Sequence, residues 1–229
     1  MSQYLKRLGA PKSWPLSQRK GLKYIAKPMP GPHKLEESIT LNVILQEILG
    51  YAKTRREVKR VLNQGKILIN SIVRKDHKFP VGLMDILVIP ELDKQFILLY
   101  DKTGKFMLHP INKEESENKL VRIIKKTLLK KGKLQLNFHD GTNLLVEKDN
   151  YKLGDSVILN KNKIKKHLKL EKGALVYLTS GKHKGRAGTL ESIGKSNGFS
   201  KSKISVKSDK GTITTMKDYV FVVEKAFVK

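Results

Sequence analysis

The sequence predicts an α+β multi-domain chain in which a small two-helix module is followed by two small β-barrel-like domains. Three observations carry this expectation. Between Thr40 and Gly65, apolar residues recur at helix spacing and are bracketed by capping residues. From Gln95 onward, short alternating runs are separated by Gly, Asp and Asn. Ahead of both lies a basic, proline-rich stretch with no period of either kind. The expected divisions are 1–35, 36–94, 95–168 and 169–229.

Charge narrows the class of partner. In 229 residues, Lys+Arg number 47 against 21 Asp+Glu, for a formal net charge of +26. Such an excess repels itself until a polyanion neutralises it, with nucleic acid the first candidate and an anionic membrane surface the second. No apolar run approaches the roughly 18 residues of a membrane span, so no bilayer crossing is expected. There is no cysteine, which excludes disulfides and thiolate metal sites. The N-terminus has no apolar signal core, and an intracellular location is expected.

Residues 1–35 read as an extension. They hold five of the eight prolines and eight Lys/Arg, with no acid before Glu36. Taken alone, such a stretch buries too little apolar area to offset its ordering entropy. It is expected to order against RNA, with Trp14 or Tyr24 stacking on a base. Lys6, Arg7, Lys12, Trp14, His33 and Lys34 are its candidate contacts. The alternative is a disordered, solubilising tail.

Thr40 is expected to cap a first helix, with Leu41, Ile44, Leu45, Ile48 and Leu49 as its apolar stripe and Gly50 at its end. Thr54 and Glu57 form a capping box for a second helix. Val58, Val61 and Leu62 make its buried face, and Gly65 is its left-handed terminator. Arg55, Arg56, Lys59 and Arg60 sweep the opposite side. Cations in a first turn sit beside free N–H groups and the positive end of the dipole, an arrangement that asks for an anion such as phosphate. Lys53, Thr54, Arg55, Arg56, Lys59, Arg60 and Lys66 are therefore candidate RNA contacts; the bland alternative is a solvated basic face.

A hairpin follows, Lys66–Ile69 and Ile72–Arg74 around Asn70–Ser71. Two short helices, a basic first turn and small strands resemble the RNA-binding domain first named in bacterial small-subunit ribosomal protein four. Ala52-Lys53-Thr54-Arg55-Arg56-Glu57-Val58 and Gly65-Lys66-Ile67-Leu68-Ile69-Asn70 carry the resemblance. Ser71 stands where that family commonly has glycine, which argues against the usual type I′ turn. Pro80–Ile89 reads as a turn into a buried strand.

Phe96–Tyr100 and Lys105–His109 form a hairpin around Asp101–Gly104. Leu120–Ile124 fits helix or strand, and its β-branched content favours strand. Leu134–Phe138, Asn143–Val146 around Asp140–Gly141, and Ser156–Leu159 complete a barrel-like middle domain. A lysine-rich run follows, at 161, 163, 165, 166 and 169. Ala174–Thr179 then leads into Ser180–Leu190, where Gly181, Gly185 and Gly188 are interleaved with Lys182, His183, Lys184 and Arg186. This segment resembles the KOW motif of small β-barrels in ribosomal proteins and transcription elongation factors. Its basic side chains are candidate RNA contacts, and its glycines permit tight backbone near a phosphate. In the alternative reading the glycines only make turns. Lys203–Val206 and Tyr219–Val223 are later strands of the same barrel.

No catalytic constellation emerges. The six histidines are scattered, and Gly194–Lys195–Ser196 lacks the leading glycine of a phosphate-binding loop. Asp76, His77 and Asp85 read as surface salt bridges or caps. No enzyme, cofactor or metal is expected.

The order of parts resembles one family, small-subunit ribosomal protein four of the archaeal and eukaryotic type. Leu5-Lys6-Arg7-Leu8, Ala10-Pro11-Lys12-Ser13-Trp14, Gly31-Pro32-His33-Lys34-Leu35, Pro80–Asp85 and Tyr100–Phe106 carry it. The resemblance implies a tail, a two-helix RNA-binding module, a central β domain and a KOW barrel. It implies a structural constituent of the small subunit in the cytoplasmic ribosome. The implied partners are small-subunit rRNA and neighbouring ribosomal proteins, with no membrane and no small-molecule substrate. Two rivals share modules with it: an RNA-modifying enzyme, which needs a catalytic aspartate not seen here, and a KOW-containing transcription factor.

Overall fold

The structure, a computed structural model, describes residues 4–129, 132–147, 149–160, 163–194, 202–208, 211–224 and 227. Lys161 and the Lys195–Ser196 pair lie outside them. The described residues are mostly β, with few helices and several antiparallel sheets. The chain divides into two units: Met1–Tyr100 with Lys105–Glu117, and Asp101–Gly104 with Asn118–Lys229.

The first unit opens with β1 (Leu5–Lys6) and β2 (Tyr24–Ile25), paired antiparallel. Next come β3 (Ser38–Thr40), α1 (Leu41–Val43), α2 (Arg55–Asn63), β4 (Leu68–Ile69) and β5 (Ile72–Val73). β6 (Pro80–Gly82), β7 (Ile86–Ile89), β8 (Lys94–Tyr100), β9 (Phe106–Pro110) and α3 (Lys113–Ser116) complete it. β3 pairs with β6, and a five-stranded sheet runs β5-β4-β7-β8-β9. The hairpin expected to open the central domain therefore lies in the same sheet as β4 and β7. Its connection is one residue longer than expected, because Tyr100 pairs with Phe106.

Thr40 caps α1 through its Oγ1, which accepts from Val43 N at 3.4 Å. The helix then widens to a π-helical stretch over Ile44–Ile48, with Leu49 N donating to Ile44 O at 2.9 Å. Leu41, Ile44 and Leu45 are buried, whereas Ile48 and Leu49 are only partly so. In α2 both arms of the capping box form, and Val58 and Leu62 are fully buried; Val61 is half-buried. Gly65 takes a left-handed φ of 73°.

Between β4 and β5, Asn70 and Ser71 both adopt positive φ, 51° and 66°. The backbone that a type I′ turn requires is thus present without glycine. Asn70 is tied down on both sides: its Nδ2 donates to Asp85 Oδ1 at 2.7 Å, and its Oδ1 accepts from Ile86 N at 3.0 Å. Those two bonds, with the β4–β7 pairing, hold Ser71 in a conformation serine rarely takes.

The opening segment is part of this unit's core. Trp14 is 1% exposed, and its Nε1 donates to Ser38 O at 2.8 Å. Arg19 donates to the carbonyls of Ala10 and Pro11, both at 2.9 Å, and Phe106 N donates to Ser13 O at 2.8 Å.

The second unit contains β10 (Asn118–Leu128), β11 (Leu134–Phe138), β12 (Asn143–Val146), β13 (Ser156–Asn160) and β14 (Lys163–Leu168), in spatial order β12-β11-β10-β13-β14. β10 breaks register between Ile123 and Lys125, giving its first half to β13 and its second to β11. A bulge of this kind bends the sheet around Val121, Ile123, Leu136, Phe138 and Val157. Of the lysine-rich run, Lys163, Lys165 and Lys166 lie in β14. A second sheet, β18-β17-β16-β15-β19, is built from β15 (Leu175–Leu178), β16 (Ala187–Ile193), β17 (Lys203–Ser208), β18 (Gly211–Met216) and β19 (Val220–Val222). It has its own core of Val176, Leu178, Leu190, Ile204 and Val206. Buried Asp155 connects the two cores, accepting from His167 Nε2 at 2.7 Å and from Leu170 N at 3.0 Å.

Candidate nucleic-acid interface

The N-terminus of α2 is built by its cap. Glu57 accepts from Lys53 N at 2.8 Å and from Thr54 Oγ1 at 2.9 Å. The Lys53 amide, followed by the Thr54 hydroxyl, holds the Glu57 carboxyl below its ordinary pKa. Thr54 and Glu57 are thus occupied with the helix start, leaving the basic side chains as the outward chemistry. Lys53, Arg55, Arg56, Lys59 and Arg60 are all exposed. Arg56, Lys59 and Arg60 make no ion pair among the described residues, while Lys66 pairs with Glu91 at 2.8 Å. Several unneutralised cations on one helix face form a surface suited to a phosphate backbone.

Arg55 is positioned by a residue outside the helix. Its Nε donates to His77 Nε2 at 2.9 Å. Burial, then the charge of Arg55, pushes His77 below its ordinary pKa, so the ring stays a neutral acceptor. His77 and Asp85 are buried, not the surface groups the sequence suggested. Asp76, half-exposed, closes a turn rather than capping a helix, accepting from Lys78 N at 2.8 Å.

Three residues of the opening segment have structural partners where RNA contacts were expected. Trp14 is enclosed, so no base can stack on its ring. Arg7 is buried: Nε donates to Gln18 O, and Nη2 meets Glu47 Oε1 at 2.5 Å. Burial raises the Glu47 pKa, but hydrogen bonds from Arg7 and Ser17 outweigh it and keep the carboxyl ionised below its ordinary value. His33 packs its ring against Gly82, where a Cβ would come within 2.4 Å, and its Nε2 lies 2.9 Å from Asp85 Oδ2. Lys6, Lys12 and Lys34 remain exposed. Beside the α2 N-terminus lies an open cleft of about 750 Å³, lined by Tyr4, Tyr24, Lys27, Lys53, Arg55 and Lys78 among others.

In the second unit, the loop between β15 and β16 exposes Lys182 and half-buries His183, Lys184 and Arg186. Gly185 N donates to Leu178 O at 2.8 Å, and Leu178 N to Arg186 O at 2.8 Å. Lys184 and Arg186 also donate their amides within the loop. Side chains rather than these backbone groups are therefore what it offers a phosphate. Gly181 and Gly185 take left-handed φ values of 81° and 85°. Gly188 serves strand contact, since a Cβ there would lie 2.4 Å from Lys207 O.

The sequence suggested only a surface salt bridge or cap for His77; nothing local signalled that it aims Arg55, a residue 22 positions earlier.

Comparison with known proteins agrees with this architecture. Residues 1–36 match the RS4NT (NUC023) domain, 40–87 the S4 domain, and 92–166 the Ribosomal family S4e. The small ribosomal subunit protein eS4 of Archaeoglobus fulgidus is 43% identical over 96% of this chain and 92% of its own. That of Methanosphaera stadtmanae is 40% identical, again over 96% and 92%. The crystal structure of the 30S ribosomal protein S4e from Thermoplasma acidophilum superposes with a TM-score of 0.70 at 28% identity, covering 82% of this chain and 95% of that one. At that identity and coverage, the chain belongs to the Ribosomal family S4e.

Proposed function

We propose that the chain is a structural constituent of the small ribosomal subunit that binds rRNA through phosphate contacts and takes part in translation. The observation that carries this reading is family membership joined to the exposed, unneutralised cations of α2. Small-subunit rRNA and neighbouring ribosomal proteins are its partners, and the cytoplasmic ribosome is its location. The finer reading divides it into an extension at 1–35, a two-helix RNA-binding module at 36–94, a central β domain at 95–168 and a KOW barrel at 169–229. Lys53, Arg55, Arg56, Lys59, Arg60, Lys182, Lys184 and Arg186 are its principal phosphate contacts, with Lys6, Lys12 and Lys34 from the extension. The role is non-catalytic; neither an RNA-modifying enzyme nor a transcription factor is favoured by the relatives it resembles.

Co-sedimentation with small subunits and binding to isolated small-subunit rRNA across a salt series test the proposal together. Each phosphate neutralised adds roughly −0.7 to −0.9 to the log–log slope, so affinity should fall steeply with salt. A flat salt response, or co-sedimentation with polymerase instead of subunits, would overturn it.

A further inference from the structure

Asn42, on α1, is 6% exposed, with its backbone N–H donated to His77 O at 3.0 Å. Its side-chain amide is oriented by a relay. Gln46 Nε2 donates to the carbonyl of Lys53 at 3.2 Å, which turns Gln46 Oε1 toward Asn42. Asn42 Nδ2 donates to that oxygen at 2.5 Å. The relay leaves Asn42 Oδ1 as a buried acceptor, and among the described residues it has no hydrogen-bond partner. Asn42 and Gln46 both line the cleft beside α2. Tyr4 and Tyr24 line the same cleft, each more than half exposed, with ring centroids 5.8 Å apart. Lys53, Arg55 and Lys78 supply positive charge in the same cleft.

We propose that this cleft receives one unstacked nucleotide of the bound RNA. The Watson–Crick edge of the base exchanges hydrogen bonds with the Asn42–Gln46 pair that lines the cleft, the base face lies against Tyr4 and Tyr24, and Lys53, Arg55 and Lys78 meet its phosphate. Unstacked bases are recognised in this way, by aromatic faces together with hydrogen bonds to their edges. The cleft's volume falls within the ~300–1,000 Å³ typical of small-ligand sites. This inference rests on the RNA-binding reading above and adds to it a subsite that reads a base.

The test titrates the full chain, ¹⁵N-labelled, with adenosine 5′-monophosphate and separately with ribose 5-phosphate, which carries the phosphate without the base. The nucleotide should shift the side-chain amide signals of Asn42 and Gln46 and bind at least fivefold more tightly than the sugar phosphate. Asn42→Ala should abolish that preference while leaving affinity for ribose 5-phosphate within twofold. Should Asn42→Ala fail to fold, Tyr24→Ala, at an exposed position, should reduce the preference in the same way. Equal affinity for the two probes, or a preference unchanged in the folded variants, overturns the subsite. Small-subunit rRNA binding measured on the same samples separates the two claims. If rRNA binds but the probes are indistinguishable, only the subsite is wrong; if rRNA does not bind, the reading beneath it fails.

Discussion

Arg55 Nε donates to His77 Nε2 at 2.9 Å, so a first-turn guanidinium of α2 is aimed by an imidazole that must be neutral to accept it. The ring proton belongs on Nδ1, 3.4 Å from Asp76 Oδ1. The geometry couples the direction of a basic side chain to the protonation of a buried group.

That coupling has a sign. Burial, and then Arg55, lowers the folded-state pKa of His77, while the unfolded chain keeps the ordinary value of about 6.5. Between the two values the unfolded state binds more protons, so this contribution to stability is present above about pH 6.5 and lost as pH falls through the folded value. The His77 ring should titrate below 6.5 by NMR. In thermal melts between pH 7.5 and 5, His77→Gln should remove part of the acid loss seen in the parent. A ring titrating above 6.5 contradicts the coupling.

Charge reversal at Arg55 and Arg56 separates binding from folding. Arg55→Glu with Arg56→Glu should lower rRNA affinity at least tenfold. The variant loses the His77 hydrogen bond, of about 0.5–1.5 kcal/mol, but puts acids at a helix N-terminus, which favours them by a few tenths of a kcal/mol. Its melting temperature should therefore move little. Leu62→Ala should do the opposite, costing about 2–5 kcal/mol through a cavity while sparing rRNA affinity below its melting point. Full affinity in the double glutamate variant removes the basic turn from the interface.

Trp14 is a built-in reporter, since the chain has one tryptophan and it is buried. Its emission should be blue-shifted in the free protein, should stay there on adding rRNA, and should move red only on unfolding. Trp14→Ala should cost about 3–5 kcal/mol. Quenching of a folded sample by rRNA at salt-sensitive concentrations would restore a stacking role.

Two glycines make a paired test of backbone crowding. Gly188→Ala places a methyl 2.4 Å from Lys207 O, a backbone atom that cannot move without breaking the β16–β17 pairing, so the melting temperature should drop. Gly9 has nothing within 4 Å of an added Cβ and no left-handed φ. Gly9→Ala should be neutral or stabilise by about 0.4–1 kcal/mol. Equal melting temperatures for the two variants would contradict the crowding.

Local chemistry was legible in the sequence. Thr54 and Glu57 lie three residues apart and close their cap without help from elsewhere, and the basic side of α2 followed from the same period. What depended on remote partners was not legible. An apolar stripe tells which face of a helix is buried, not which carbonyl receives each N–H, so the π-helical stretch after Val43 was invisible. Arg7, Trp14 and His33 looked like tail residues because Glu47, Ser38 and Asp85, which hold them, stand far away along the chain. Asn42 gave no signal at all, because a polar residue beside an apolar stripe reads as solvent-facing. Ser71 shows the same limit in reverse: a poor turn residue was held by Asn70's two side-chain bonds, which only the folded sheet supplies.

The bond from Phe106 N to Ser13 O has a meaning in time as well as in space. A nascent chain emerges at about 5–20 residues per second, so residue 106 follows residue 13 by roughly 5–20 s. During that delay the strand that bonds to Ser13 has not yet been made, and the opening segment, strongly cationic and carrying the chain's one indole, waits without that partner. The first unit therefore closes late and from both ends, and its N-terminal residues are the ones most in need of a chaperone or an early RNA companion during synthesis.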